Sequence, residues 1–217
     1  MELSDLKTIF LNIFFPPFCI FCDKVMDFRA TFFVCDECKT YSDKFLTNDG
    51  CYQLVDIIRD SVLRFKNKGR IDYAQTMGTH MAQQFLKRHR AENFDVVVSM
   101  PIDKRSFKKR GFKQEELLAK TIAKRLNLPS DNKTLRYSID TSPNGEVPVK
   151  KRQKYLFTIT NSETLKNKHV LLVDDFRETG ASIRAATEVL MEQAGAKHVA
   201  YSVFAIADER CSHRVKW

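Results

Sequence analysis

Apolar residues recur along this chain in two rhythms. Three short runs are almost continuously apolar: Asp95 to Met100, built around three valines, His169 to Asp174, and His198 to Ile206. Runs of this length, rich in valine and isoleucine, read as strands buried on both faces. Between them apolar residues return at helical spacing. Leu54, Ile57, Ile58 and Leu63 predict a helix over 52–66, stopped by Lys66-Asn67-Lys68-Gly69. Ile71, Met77, Met81 and Phe85 predict a second over 71–90, and Leu118, Ile122 and Leu126 a third over 114–127. A fourth, over 181–194, stops at Gly195. Strands alternating with helices predict an α/β fold, with a mainly parallel sheet covered by helices on both faces.

Two stretches break the rhythm. Residues 1–50 are rich in Phe and Cys and end at the turn signal Asn48-Asp49-Gly50, so we expect a small module at 1–50 ahead of a main domain at 51–217. The apolar stretch from Ile9 to Phe21 predicts a short helix over 4–14, ending at Pro16-Pro17. Glu2 and Asp5 stand where a signal peptide carries positive charge. The helix's Phe and Ile face reads first as a core-facing stripe, with a membrane-surface role as the minority reading. The second stretch, 129–160, has little periodicity. It carries the turn Ser142-Pro143-Asn144-Gly145 and the basic cluster Lys150-Lys151-Arg152-Gln153-Lys154, and reads as a mobile loop. No run of about 18 apolar residues is present, so no transmembrane helix is expected.

Composition sharpens this picture at two points. The net charge of +9 points to polyanionic partners or to a generally basic surface. Of the six cysteines, five lie before residue 52, which argues for a local metal site in a reducing compartment and against a disulfide framework. Cys19-x-x-Cys22 and Cys35-x-x-Cys38 are two paired turns. Each places two thiolates on one side of a metal, and together they complete a closed, structural zinc site. Cys51 and Cys211 read as ordinary thiols.

The carboxyl end of the strand 169–174 carries Asp174-Asp175, where open parallel sheets bind ligands. Adjacent carboxylates accept from the vicinal hydroxyls of a ribose and attract Mg²⁺. Phe176-Arg177-Glu178-Thr179-Gly180-Ala181-Ser182 then leads into a helix, whose first N–H groups suit a phosphate. Thr179 and Ser182 add hydroxyls, Gly180 permits close approach, and Glu178 is expected to point away. This string resembles the fingerprint of type I phosphoribosyltransferases. The resemblance implies that Asp174 and Asp175 hold the ribose and act as the catalytic pair. It implies that 176–182 bind the 5′-phosphate of phosphoribosyl pyrophosphate, and that Lys104 and Arg105, leaving the strand 95–100, contact the pyrophosphate with Mg²⁺.

Residues 101–113 read as a basic loop. Between 104 and 113 six of ten residues are Lys or Arg, interleaved with Phe107 and Phe112. Cations bind phosphates and aromatic faces stack on exposed bases, although both Phe residues also fit as core anchors. Three features now coincide: the double CxxC after Phe-Pro-Pro, the string Pro101-x₈-Arg110-Gly111-Phe112-x-Gln114, and the phosphoribosyl fingerprint. Together they resemble the ComF family of late-competence proteins. The resemblance implies a cytoplasmic role in natural transformation, handling incoming single-stranded DNA. Arg105, Lys108, Lys109, Arg110, Lys113 and Arg152 are then the candidates for DNA phosphates. Other competence proteins, such as a DNA translocase, are candidate partners, with the protein either free or peripheral to the inner face of the membrane. The alternative is an active phosphoribosyltransferase on a small-molecule or nucleic-acid acceptor. The chain departs from the family at Lys113, in place of Asn, over 135–157, where only Thr141, Pro143 and Arg152 match, and at Phe176-Arg177-Glu178, with Thr179-Gly180 retained.

Overall fold

A computed structural model describes residues 17–27, 32–138 and 156–207. The helix expected over 4–14, the turn 142–145, the cluster 150–154 with Arg152, and Cys211 lie outside the described residues.

Helix α1 (Asp36–Ser42) belongs to the cysteine-rich segment. The main run is β1 (Tyr52–Gln53), α2 (Asp56–Asn67), α3 (Tyr73–Leu86), β2 (Val96–Ser99), α4 (Lys104–Arg110) and α5 (Gln114–Leu126). It continues with β3 (Ser130–Asp131), β4 (Leu135–Tyr137), β5 (Phe157–Ile159), β6 (His169–Arg177), α6 (Ala181–Glu192) and β7 (His198–Ile206). One five-stranded sheet has the order β1-β7-β6-β2-β3, and all its neighbours run parallel. β4 and β5 form a separate antiparallel pair.

The expected architecture is present, with four local corrections. The helix placed over 52–66 begins at Asp56, because Tyr52 and Gln53 pair with Ala205 and Ile206 as an edge strand. The loop 101–113 contains α4. Asp103 accepts from the N–H groups of Arg105 and Ser106 to start this helix. The strand expected over 169–174 runs on to Arg177, since Phe176 and Arg177 still pair with Ala205 and Ile206. The stretch 129–160 contributes β3, β4 and β5.

Side-chain alternation in the central strands sorts the core into two layers. Val97, Leu171 and Val173 face a layer built from α2, α3 and α5; Val96, Val98, Val170 and Leu172 face one that includes α6. The two crossovers leave in opposite directions. β2 passes through α5 to β3, whereas β6 passes through α6 to β7 on the other side. The gap between the carboxyl ends of β2 and β6 is therefore a topological switch point, where such sheets bind ligands. Ser99 of β2 pairs with Val173, so β6 runs past its neighbour from Asp174 onward.

The cysteine segment packs into the first layer. Ile20 and Phe21 are buried there with Tyr73, Phe65 and Phe204. Phe21 stacks on Phe204 of β7 with ring centroids 6.5 Å apart.

Candidate functional site

A cleft of about 180 Å³ opens at the switch point, and its lining includes Lys66, Met100 to Asp103, Ser106, Arg110, Glu115 and Asp174 to Phe176. A second hollow of about 180 Å³ adjoins it, lined by residues 176–183 and Asp174. The two share Asp174, Phe176 and Ser182, so they form one groove along the end of β6.

Asp175 has the same parity as Leu171 and Val173, so its side chain faces α5 and α2. It is 2% exposed. Lys66, from the last turn of α2, ion-pairs with it at 3.1 Å, and Gln114 Nε2, at the start of α5, donates to it at 3.4 Å. Asp175 N–H donates to Asp174 Oδ1 at 2.9 Å. Glu115 joins the pair: one oxygen from each of Glu115, Asp174 and Asp175 lies within 4.8 Å of the others. Burial, and then the charge of Asp175, push Asp174 up to about 7. Burial and the same two aspartates hold Glu115 well above the usual carboxylate range. Burial alone would lower Lys66, yet the charges of Asp175 and Asp174 raise it. Hard oxygen donors with an unpartnered carboxylate oxygen on Glu115 suit Mg²⁺.

The downstream loop turns sharply into a helix start. Gly180 sits at φ +74°, in the left-handed region, and opens α6. Thr179 Oγ1 accepts from the N–H of Ala181, and Arg184 Nη1 donates to the carbonyl of Thr179. Arg177 donates to the Tyr201 hydroxyl at 2.9 Å.

The basic segment divides between the cleft and solvent. Ser106 and Arg110 line the cleft, whereas Lys104, Arg105, Lys108 and Lys109 are exposed on α4 and do not line it. Lys113 is ion-paired to Glu116, and its Nζ lies 5.9 Å from the Phe107 ring centroid. Phe107 is 42% exposed, whereas Phe112 packs on the core against Phe65. Lys66, Ser106 and Glu115 were not singled out by the sequence. Gln114 was quoted only as a motif letter. The cue for Gln114 and Glu115 was the helix start at 114, which points these two polar side chains at the end of β6.

The four cysteines converge, with one sulfur from each lying within 4.8 Å of the others. Cys22 Sγ and Cys35 Sγ are 3.7 Å apart. A tetrahedral zinc with bonds of about 2.3 Å requires sulfur–sulfur edges of about 3.8 Å, so the set fits this ion. The N–H of Cys35 donates to Cys19 Sγ at 3.4 Å. Helix α2 clamps the first turn. Arg64 Nη2 donates to the carbonyls of Ile20 and Phe21, and Arg64 Nη1 ion-pairs with Asp23 at 3.1 Å. Tyr73 OH donates to Asp23 as well. Cys51 is buried beside Thr47 Oγ1 and stands apart from the cluster.

The family model described as "Phosphoribosyl transferase domain" matches residues 78–216. Competence protein ComFC of Bacillus subtilis (strain 168) is 25% identical over 187 residues, which cover 83% of this chain and 74% of that protein. Among solved structures, phosphoribosylpyrophosphate synthetase from Mycobacterium smegmatis aligns at 18% identity and TM-score 0.40. It covers 59% of this chain and 33% of its own. Purine phosphoribosyltransferase from Pyrococcus horikoshii Ot3 aligns at 21% identity and TM-score 0.40, covering 64% of this chain and 75% of that one. No helix among the described residues is long and apolar enough to cross a membrane. With its cysteine cluster and Arg-Gly-Phe-x-Gln string, the chain belongs to the phosphoribosyl transferase domain family and is a ComF-type member of it.

Proposed function

We propose that this protein handles incoming single-stranded DNA during natural transformation and binds phosphoribosyl pyrophosphate in the groove at the end of β6. One observation carries the reading: α4 forms the lip of that groove. Its inner side gives Ser106 and Arg110 to the cleft, while Lys104, Arg105, Lys108, Lys109 and Phe107 remain exposed beside it. Exposed cations beside an exposed aromatic ring are the equipment of a single-strand site. The similarity to a competence protein supports the same setting. Arg105, Lys108 and Lys109 serve DNA phosphates, with Arg110 at the junction between DNA and sugar phosphate.

In the groove, Asp174 and Asp175 accept from the ribose hydroxyls. Lys66 holds Asp175 in place, and the N–H groups at 179–182 receive the 5′-phosphate. Bound Mg²⁺ supplies positive charge to the pyrophosphate. Protein partners in the DNA-uptake machinery, with a DNA translocase as one candidate, belong to this reading, as does a place at the inner face of the membrane.

The test is single-strand binding across a salt series, with and without phosphoribosyl pyrophosphate and Mg²⁺. Affinity should fall steeply with salt and drop in a variant with Lys108 and Lys109 changed to Ala. Single-strand affinity no better than that of an unrelated basic protein at physiological salt rejects the reading. Asp174→Asn with Asp175→Asn should abolish calorimetric binding of phosphoribosyl pyrophosphate, and unchanged affinity rejects the site. The family match supports a second reading, transfer to an acceptor, which release of pyrophosphate with an identified acceptor would establish.

A further inference from the structure

The parallel strands β2, β6 and β7 begin at the pole of the sheet opposite the groove. There the register sets His169 of β6 directly against His198 of β7, with ring centroids 5.8 Å apart. The N–H of Asp95, ahead of β2, donates to the carbonyl of His169, and the N–H of Lys197 to that of Lys168. The turn after α3 closes the same pole, because the Phe94 ring packs near His89 and His198, with centroids 5.9 Å and 6.0 Å away. Three of the four described histidines thus meet here. Fixed cations surround them. Lys87, Arg88 and Arg90 are exposed after α3, Lys197 is exposed ahead of β7, and Lys168 is half-buried ahead of β6.

Few acids answer this charge. Asp95 accepts from the N–H of His169, Arg88 reaches Asp49 only at 4.0 Å, and Glu92 is exposed. Asp131 of β3, on which Lys168 acts, accepts from the N–H groups of Lys133 and Thr134. Lys166, nearby, is paired with Glu163. Burial, then Arg88 and His198, hold the His89 imidazole below its ordinary range. Like charges gathered in this way repel one another, and a bound polyanion relieves the repulsion. The same charges keep a metal ion from the imidazoles.

We infer that this pole is a second nucleic-acid surface, which holds the phosphate backbone of a duplex at the end of the sheet opposite the groove and α4. The segments 87–95, 166–169 and 197–198 expose no Phe, Tyr or Trp for an unpaired base to stack on. His89 is itself stacked on Phe85, with centroids 4.8 Å apart. Phosphate contacts without base stacking suit a duplex, whose bases are enclosed. A bilayer requires apolar anchors beside the cations, and the exposed large apolar side chain adjoining these segments in sequence is the single Leu86. This surface does not rest on the single-strand reading of α4; with both in place, one chain brings a single strand and a duplex together.

The full-length, zinc-loaded protein is titrated into a labelled duplex oligonucleotide, followed by fluorescence anisotropy across salt and pH. Arg88→Ala, Arg90→Ala and Lys197→Ala combined should weaken duplex binding about tenfold or more and flatten its logarithmic salt slope by roughly two to three. Single-strand affinity should change by less than about twofold in that variant, since α4 is untouched. Phosphates favour the protonated imidazoles, so duplex affinity should rise several-fold as pH falls from about 8 to about 6. His89→Gln, His169→Gln and His198→Gln combined should remove that rise, and if this variant fails to fold, His198→Gln alone should reduce it. Near-ultraviolet circular dichroism identifies the folded variants. Unchanged duplex affinity in the folded arginine and lysine variant overturns the surface, as does a loss confined to single strands. Loss of binding to phosphatidylglycerol vesicles with duplex binding intact overturns it as well. None of these failures touches the single-strand reading, which its own variant of Lys108 and Lys109 decides.

Discussion

Phe107 and Phe112 share one basic segment and end in different surroundings. The first lies open on α4, and the second packs on Phe65. Phe107→Ala should leave the melting temperature unchanged while weakening single-strand binding, read by fluorescence anisotropy. Phe112→Ala should cost about 2 kcal/mol in chemical denaturation, because a half-buried ring leaves a void. His80 offers a test by pH. It is buried between Tyr52 and Phe32, with ring centroids 4.5 Å and 6.3 Å away. Burial is the main force lowering it to about 4, with Lys87 and Lys39 adding to the shift and Asp43 opposing it. The unfolded chain takes up this proton near pH 6.5, whereas the folded protein refuses it until about 4. Stability should therefore fall as pH drops through that window, by roughly 3 kcal/mol in total. His80→Phe should flatten this part of the denaturation profile. At this scale the sequence was most readable where residues of one local string lie together, as Asp174 and residues 176–182 do along one groove. Lys66, Gln114 and Glu115 were not readable as partners of Asp175, because the fold alone brings these distant positions to the end of β6. Lys66 read as part of a helix stop, whereas it lies in the last turn of α2 and ion-pairs with Asp175.

Among the elements, the central strands were legible because burial on both faces leaves an uninterrupted apolar run. β7 matches its expected limits, His198–Ile206. β6 was read too short because Asp, Phe and Arg look like loop residues, and only the pairing with β7 extends it. α4 was hidden for the opposite reason. A single exposed Phe gives no apolar stripe, and the usable signals were Asp103 at its start and Gly111 at its end. Helices α3 and α5 cross at Gly78, where an added Cβ would stand 2.7 Å from Thr121 Cβ. Gly78→Ala should destabilise the protein by roughly 1–3 kcal/mol through overpacking. Thr121→Gly, which removes that Cβ, should couple favourably with Gly78→Ala in a double-mutant cycle in urea.

At the scale of the whole molecule, α2 joins the cysteine cluster to the groove at the end of β6. Arg64 grips the first cysteine turn and Lys66 grips Asp175 from the same helical turn. A strong chelator should therefore lower the melting temperature of the entire protein in one transition, rather than loosen the cysteine segment alone. Calorimetry showing an early, separate transition would contradict this. The layout of α/β layers was legible from periodicity. The intimacy between the cysteine segment and the sheet was not, since it depends on single rings, Phe21 and Tyr52, meeting Phe204.

Those rings have a consequence for biosynthesis. Phe21 and Tyr52 emerge early from a translating ribosome, whereas Phe204 and the residues that pair with β1 are among the last described. The cysteines can capture an ion as soon as they appear and α2 and α3 can cover part of their module, but the side that meets Phe204 stays uncovered until β7 arrives. The nascent chain therefore carries an exposed aromatic surface through most of its synthesis. Among the described residues, the first strand of the sheet is completed by the last.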